Sequence, residues 1–162
     1  MWLTDEIFKS VIQHTPLISI DLIVRNEQGE VLLGKRVNAP AKGYWFVPGG
    51  RVRKNETLDD AFVRLMKEEL GIESGITRAD TKFLGVFEHF YDDCVFGSEE
   101  STHYIVLAYE IILKNKKKFI KNNKQHEIFE WCKLTYLKES KEVHGFTKNY
   151  LISLNEGIIN ER

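Results

Sequence analysis

YWFVPGGRVRKNETLDDAFVRLMKEELGI, residues 44–72, carries a short apolar run into Pro48-Gly49-Gly50 and then into one amphipathic helix. The proline interrupts strand pairing, and the two glycines permit backbone shapes that set carbonyls and amides against a ligand. Thr57 is the N-cap of a helix over residues 57–70, with Asp60 three positions on and Gly71 as its C-terminal stop. On a wheel of ~100° per residue counted from Leu58, Ala61, Phe62 and Leu65 fall at roughly 300°, 40° and 340°, a single apolar face. Glu69 falls at about 20°, in the middle of that face, while Asp60, Arg64 and Lys67 lie on the polar side. A carboxylate turned inward needs a cation, a set of donors or a raised pKa. The other reading is a frayed last turn in which Glu69 is solvated.

Working outward, Thr4 caps an N-terminal helix with Ile7, Phe8, Val11 and Ile12 at helical spacing, stopped by Pro16. The β-branched residues 17–24 and the run 30–36 flank Asn26-Glu27-Gln28-Gly29, the pattern of a hairpin. Residues 38–43 form a loop and 44–47 a short strand. Residues 82–90, 102–113 and 127–132 read as strands, and 138–154 as the last helix or helices. This order predicts an α/β fold, a mixed sheet packed between helices. No internal repeat or long linker divides the chain, so one domain over residues 1–162 is expected.

The 162 residues are 43% hydrophobic, enough for one ordinary core. Lys and Arg number 23 against 24 Asp and Glu, a net charge of -1, so nothing global draws the chain to nucleic acid or an anionic membrane. Cys94 and Cys132 are far apart and in no C-x-x-C spacing, which speaks against a disulfide scaffold or a thiolate zinc site, so they read as ordinary reduced thiols. Asp5 and Glu6 stand where a secretory signal has bases, and no apolar run approaches the roughly 18 residues of a membrane span, so the expected location is cytoplasmic. The six lysines of residues 114–124 read as a solvated, lysine-protected loop, because no arginine or aromatic series beyond Phe119 accompanies them.

Glu56 and Glu68 add acids beside Glu69. Carboxylates with a backbone carbonyl suit a hard cation such as Mg²⁺, with Mn²⁺ as substitute, and Mg²⁺ usually binds through a substrate phosphate as well. The pattern therefore points to a diphosphate substrate. Arg36, Arg51 and Arg53 flank the glycine loop and complement the remaining phosphate charge, although each taken singly is also an ordinary surface residue.

Gly50, Glu56, Arg64 and Glu68-Glu69-Leu70-Gly71-Ile72 fall at the spacing of the Nudix box, G-x5-E-x7-R-E-U-x-E-E-x-G-U with U apolar. One position departs: Leu65 stands where the box has the Glu that follows its Arg. With that departure, Tyr44-Trp45-Phe46-Val47-Pro48-Gly49-Gly50-Arg51-Val52, His89-Phe90-Tyr91-Asp92-Asp93, Thr102-His103-Tyr104 and Gln125-His126, the chain resembles the GDP-mannose mannosyl hydrolase branch of the Nudix superfamily over residues 1–150. An acid at 65 would share a helix face with Glu69 and enlarge a metal-holding cluster that generates hydroxide. Its absence argues for a single Mg²⁺ that steadies the diphosphate while another group activates water.

The resemblance implies a Nudix-type α/β/α sandwich and Mg²⁺-dependent hydrolysis of GDP-mannose, with GDP-glucose as a further substrate, by water attack on the anomeric carbon with inversion. It implies the Gly49 carbonyl, Glu69 and Gln125 as metal ligands and His126 as general base, a role that a neutral imidazole with a pKa of about 6.5 suits. Arg36 and Arg51 would stabilise charge on the leaving GDP, and Tyr104 would donate a hydrogen bond to it. Trp2, Leu3 and Phe8 match a substrate-contacting N-terminal segment, and Asp21 and His89 would touch the sugar. Each has a plain alternative: Trp2 a terminal residue, Asp21 a strand-edge acid, His89 a core histidine. A homodimer, with the N-terminal helix in substrate binding or dimerisation, is implied in the same way. The competing readings are ordinary Nudix pyrophosphohydrolysis to GMP and a sugar 1-phosphate, and a non-catalytic module that binds a nucleotide sugar.

Overall fold

A computed structural model describes residues 3–73, 75–97, 99–114 and 126–155, with 126, 127 and 155 as backbone only. The elements in chain order are α1 (Asp5–His14), β1 (Leu17–Asn26), β2 (Val31–Arg36), β3 (Trp45–Phe46), β4 (Gly49–Arg51), α2 (Leu58–Leu70), β5 (Lys82–Tyr91), β6 (Thr102–Leu113), β7 (His126–Cys132), α3 (Leu134–Glu139) and α4 (Gly145–Asn155), with a 3-10 turn at Arg78–Asp80. The strands form one mixed sheet in the order β3-β2-β1-β6-β5, with β4 added to β1 and β7 to β2. Among the described residues its one parallel ladder joins β1 to β6, from Leu17↔Tyr104 to Asn26↔Leu113. β1 is buried almost throughout, as a β-branched central strand covered on both faces should be.

The period of two along β1 sets the layers. Ile20, Leu22 and Val24 face α2 and pack with Ala61, Phe62, Leu65, Met66 and Leu70. Ile23, on the other face, joins Leu33, Trp45, Val47, Leu137, Tyr150, Leu151 and Leu154. Helices therefore cover both faces, the α/β/α sandwich expected of the pattern. α2 begins at its Thr57 cap, whose hydroxyl accepts from the Asp60 amide at 3.1 Å. It ends at Gly71 with φ 67°, a left-handed turn that favours glycine.

Two elements differ from the pattern reading. Pro48-Gly49-Gly50 is no mere break, for Gly49–Arg51 pairs with Ser19–Asp21 of β1. The last helical region begins at Leu134, before the expected 138, and is two helices separated by residues 140–144, where the Trp45 amide donates to the Glu142 carbonyl at 2.9 Å and the His144 amide to the Trp45 carbonyl at 3.1 Å. Satisfying the backbone of the two-residue strand β3 outweighs continuing the helix.

β1 changes partner along its length, from β4 at Ser19–Asp21 to β2 at Arg25↔Val31. The sheet opens between the two, and the glycines lie at that opening. A Cβ on Gly49 would sit 2.5 Å from the Ile20 carbonyl oxygen and 2.6 Å from Asp21 Oδ1. Gly49→Ala is accordingly expected to destabilise the fold by ~1–3 kcal/mol through backbone displacement, measured by denaturant unfolding; a variant as stable as wild type would contradict this close approach. At Gly50 the neighbour is the Leu65 side chain, 2.7 Å from where a Cβ would stand. Among the described residues no helix is long and apolar enough to cross a membrane.

Candidate functional site

A cavity of ≈ 360 Å³ occupies the opening in the sheet, within the usual size of a small-molecule site. β1 contributes Ser19 and Asp21, β2 Arg36, β4 Gly49, Gly50 and Arg51, and α2 Leu65, Glu68 and Glu69. β5 and β6 add His89, Tyr91 and Tyr104, and the mouth is formed by Leu3 and Phe8 with Val95 and Phe96. Phe8 meets Phe96 edge-on at 5.7 Å, and the Arg51 guanidinium lies 3.7 Å from the Phe8 ring centroid.

The wheel position of Glu69 has its structural outcome here: the residue is 4% exposed, so the last turn is not frayed into solvent. Its two companion acids are engaged by arginines. Arg64 donates to both Glu56 oxygens at 2.6 and 2.8 Å, to Glu68 at 2.9 Å and to the Arg51 carbonyl at 2.8 Å. Arg53 adds a bond to Glu68 at 3.1 Å. This cluster locks the loop after β4 onto α2, and the hydrogen bonds from Arg64 hold the Glu56 carboxyl below the usual carboxylate range.

The ladder register also orients the glycine backbone. The Leu22 amide donates to the Pro48 carbonyl and the Val52 amide to the Ile18 carbonyl, so the hydrogen-bonded pair between them is Ile20↔Gly50. The peptide groups of Gly49 and Arg51 therefore face away from β1. The Arg51 carbonyl points to α2, where Arg64 bonds it, and the Gly49 carbonyl, two residues earlier in extended chain, has the same sense. Gly49 and Glu69 both line the cavity, one with a backbone oxygen turned from β1 and the other with a carboxylate. Among the described residues no group of three or more His, Cys, Asp or Glu is gathered to hold a metal alone. This oxygen-only set fits Mg²⁺ or Mn²⁺ sharing its coordination with water and substrate phosphate.

Two cations line the cavity without a salt bridge among the described residues, Arg36 lying within the electrostatic reach of Asp21 but in no hydrogen bond with it. Arg36 and Arg51 enter no ion pair among the described residues, and Arg36 Nε is buried with no acceptor. Burial lowers the pKa of Arg51, the sign of a desolvated charge that awaits an anion. Tyr104, whose pKa burial raises, stays protonated as a donor beside them.

Asp21 and His89 form a buried polar wall of the cavity. The Tyr150 hydroxyl donates to Asp21 Oδ2 at 2.5 Å and lies 3.2 Å from His89 Nε2. Burial pushes the Asp21 carboxyl up to about 7, opposed by Tyr150 and Arg36, and pushes the His89 imidazole down to about 3. An Asp held near 7 in the fold, against about 4 when unfolded, contributes stability that is full below about pH 4 and lost as pH rises toward 7. Asp21→Asn keeps an acceptor for Tyr150 but does not titrate. Its melting temperature relative to wild type should therefore climb across that window and level off above it; a pH-independent difference would refute the assignment.

Leu3, Phe8, Asp21, Arg36, Gly49, Arg51, Glu69, His89 and Tyr104 thus line one cavity. Trp2 and Gln125 lie outside the described residues, as do residues 115–124 of the lysine-rich segment. The backbone of His126 stands opposite Arg36 in the β2–β7 ladder. Tyr91 stood in the sequence only as part of the His89–Asp93 motif, with no role attached, and Phe96, Phe146 and Tyr150 had no sequence signal, since each meets the site through contacts distant along the chain, 129 positions for Tyr150 and Asp21.

Residues 15–151 match the family model for the NUDIX domain. The chain is 39% identical over 151 residues to the low-salt glycan biosynthesis protein Agl8 of Haloferax volcanii, covering 93% of this chain and 90% of that protein. It is 42% identical over 57 residues to an ADP-ribose pyrophosphatase of Methanocaldococcus jannaschii, covering 35% of this chain and 33% of the relative. A solved MutT NUDIX hydrolase from Burkholderia pseudomallei superposes with a TM-score of 0.67 at 25% identity, over 87% of this chain and 99% of that one. With the fold, the box residues on α2 and the match over most of its length, the chain belongs to the Nudix hydrolase family.

Proposed function

We propose that this protein hydrolyses a GDP-sugar, GDP-mannose foremost and GDP-glucose with it, to GDP and the free sugar. The observation that carries the reading is Leu65. It is 1% exposed, packed under Gly50 and among the α2 core, so the helix offers no acid there to build a larger metal cluster and attack phosphorus. The buried Arg36 donor without an acceptor supports a diphosphate in the cavity, and the glycan-biosynthesis name of the Haloferax relative supports an activated sugar as its cargo.

In this reading Arg36 and Arg51 bind the diphosphate and stabilise the charge that grows on leaving GDP, with Tyr104 donating to the same group. Glu69, the Gly49 carbonyl and Gln125 would hold one Mg²⁺, which neutralises diphosphate charge. Trp2, Leu3 and Phe8 take the base and Asp21 and His89 the sugar. His126 accepts the proton of water as its oxygen bonds to the anomeric carbon from the face opposite the diphosphate and the carbon–oxygen bond to GDP breaks. The protein works as a cytoplasmic homodimer of single-domain chains.

A second reading, pyrophosphohydrolysis to GMP and sugar 1-phosphate, is favoured by the retained Glu56, Arg64, Glu68 and Glu69 and by the ADP-ribose pyrophosphatase likeness. Turnover of GDP-mannose with Mg²⁺ in oxygen-18 water separates the two. Unlabelled GDP and labelled sugar released first as the β anomer support attack on carbon. GMP with mannose 1-phosphate overturns it in favour of the second reading, and tight binding without product favours a non-catalytic module.

A further inference from the structure

Tyr150 of α4 is 1% exposed and outside the cavity, yet its hydroxyl touches two wall residues, Asp21 on β1 and His89 on β5. A tyrosine hydroxyl has one proton to give. Where the Asp21 carboxyl is ionised, as at pH 8, it can only accept, so the Tyr150 proton lies in the 2.5 Å contact to it. At 3.2 Å, His89 Nε2 then faces the lone pairs of the same oxygen, an arrangement that is favourable only if Nε2 carries a proton and donates it. The imidazole is neutral in its buried setting, so its other nitrogen, Nδ1, is left bare. Phe146, also of α4, stacks on the ring at 4.2 Å and 2°, which fixes its plane. Nδ1 has no protein partner among the described residues, and His89 lines the cavity.

We propose that Tyr150 is a positioning residue that fixes His89 as the Nε2–H tautomer, so that the cavity wall formed by β1 and β5 presents two acceptors, the Asp21 carboxylate and His89 Nδ1. Such a wall selects a ligand portion rich in hydroxyl donors and rejects one bearing a carboxylate. The inference rests on the reading of the cavity as a sugar-nucleotide site for its ligand, though not for the tautomer itself.

Nitrogen-15 NMR of histidine-labelled wild-type protein at pH 8, with His89 assigned by its loss in His89→Gln, reads the tautomer directly. A protonated Nε2 and an unprotonated Nδ1 are expected; a proton on Nδ1 overturns the proposal, whether or not any variant folds. Tyr150→Phe keeps the ring that packs in the core and removes only the hydroxyl. It should mix the two tautomers and raise KM for GDP-mannose about tenfold, while inhibition by GDP, which lacks the sugar, stays within twofold of wild type. Retention of the pure Nε2–H form with unchanged KM, or an equal loss of GDP affinity, overturns it. Failure of the wild type to turn over any GDP-sugar would sink the substrate reading while the tautomer still decides the part played by Tyr150.

Discussion

His126→Gln is expected to lower kcat for GDP-mannose by ~10²–10⁴-fold, with KM and melting temperature close to wild type. Glutamine retains hydrogen-bonding capacity on a side chain of similar reach but accepts no proton at neutral pH. The backbone of His126 pairs with Arg36, which places the proposed base on the strand beside the cation that holds the leaving group. The base must be neutral to act, so wild-type kcat should fall at acid pH as the imidazole takes up a proton. In the variant that limb should vanish from the pH profile. Near-normal turnover by His126→Gln would remove it from the mechanism, and a persistent acid limb would move the base elsewhere.

Arg36→Gln is expected to cost ~10²–10³-fold in kcat, more than it raises KM, because charge on the diphosphate is greater in the transition state than in bound substrate. Arg36 is suited to this by what it lacks: it has no ion pair among the described residues, and its Nε has no acceptor. Loss of an orphaned buried donor leaves the fold at least as stable, so thermal unfolding should not fall. Arg36→Lys restores the charge but not the planar fork and should recover only part of the rate. Equal losses in Arg36→Gln and in Arg64→Gln, with falling stability in both, would make Arg36 a structural residue instead. Arg64 is the proper contrast, since its bonds to Glu56, Glu68 and the Arg51 carbonyl join β4 to α2.

The amino-acid sequence by itself determined the parts whose causes are local. Thr57 and Gly71 bound α2, the spacing of Ala61, Phe62 and Leu65 chose its buried face, and the same spacing turned Glu69 inward. The apolar, β-branched run 17–24 and the apolar run within 102–113 marked the central strands, and β1 is buried almost throughout because helices cover both of its faces. Tertiary structure alone decided what depends on partners far along the chain. Whether Glu69 was solvated or enclosed turned on the sheet packed against α2, and Pro48-Gly49-Gly50 became a strand only because β1 lends it a ladder. Residues 140–144 leave the helix to bond Trp45, nearly a hundred positions away by the register of β3. The pairing of Asp21 with Tyr150 and His89 was likewise invisible: a period of two or 3.6 reports which face a residue takes, but not which buried donor waits on the element that covers it.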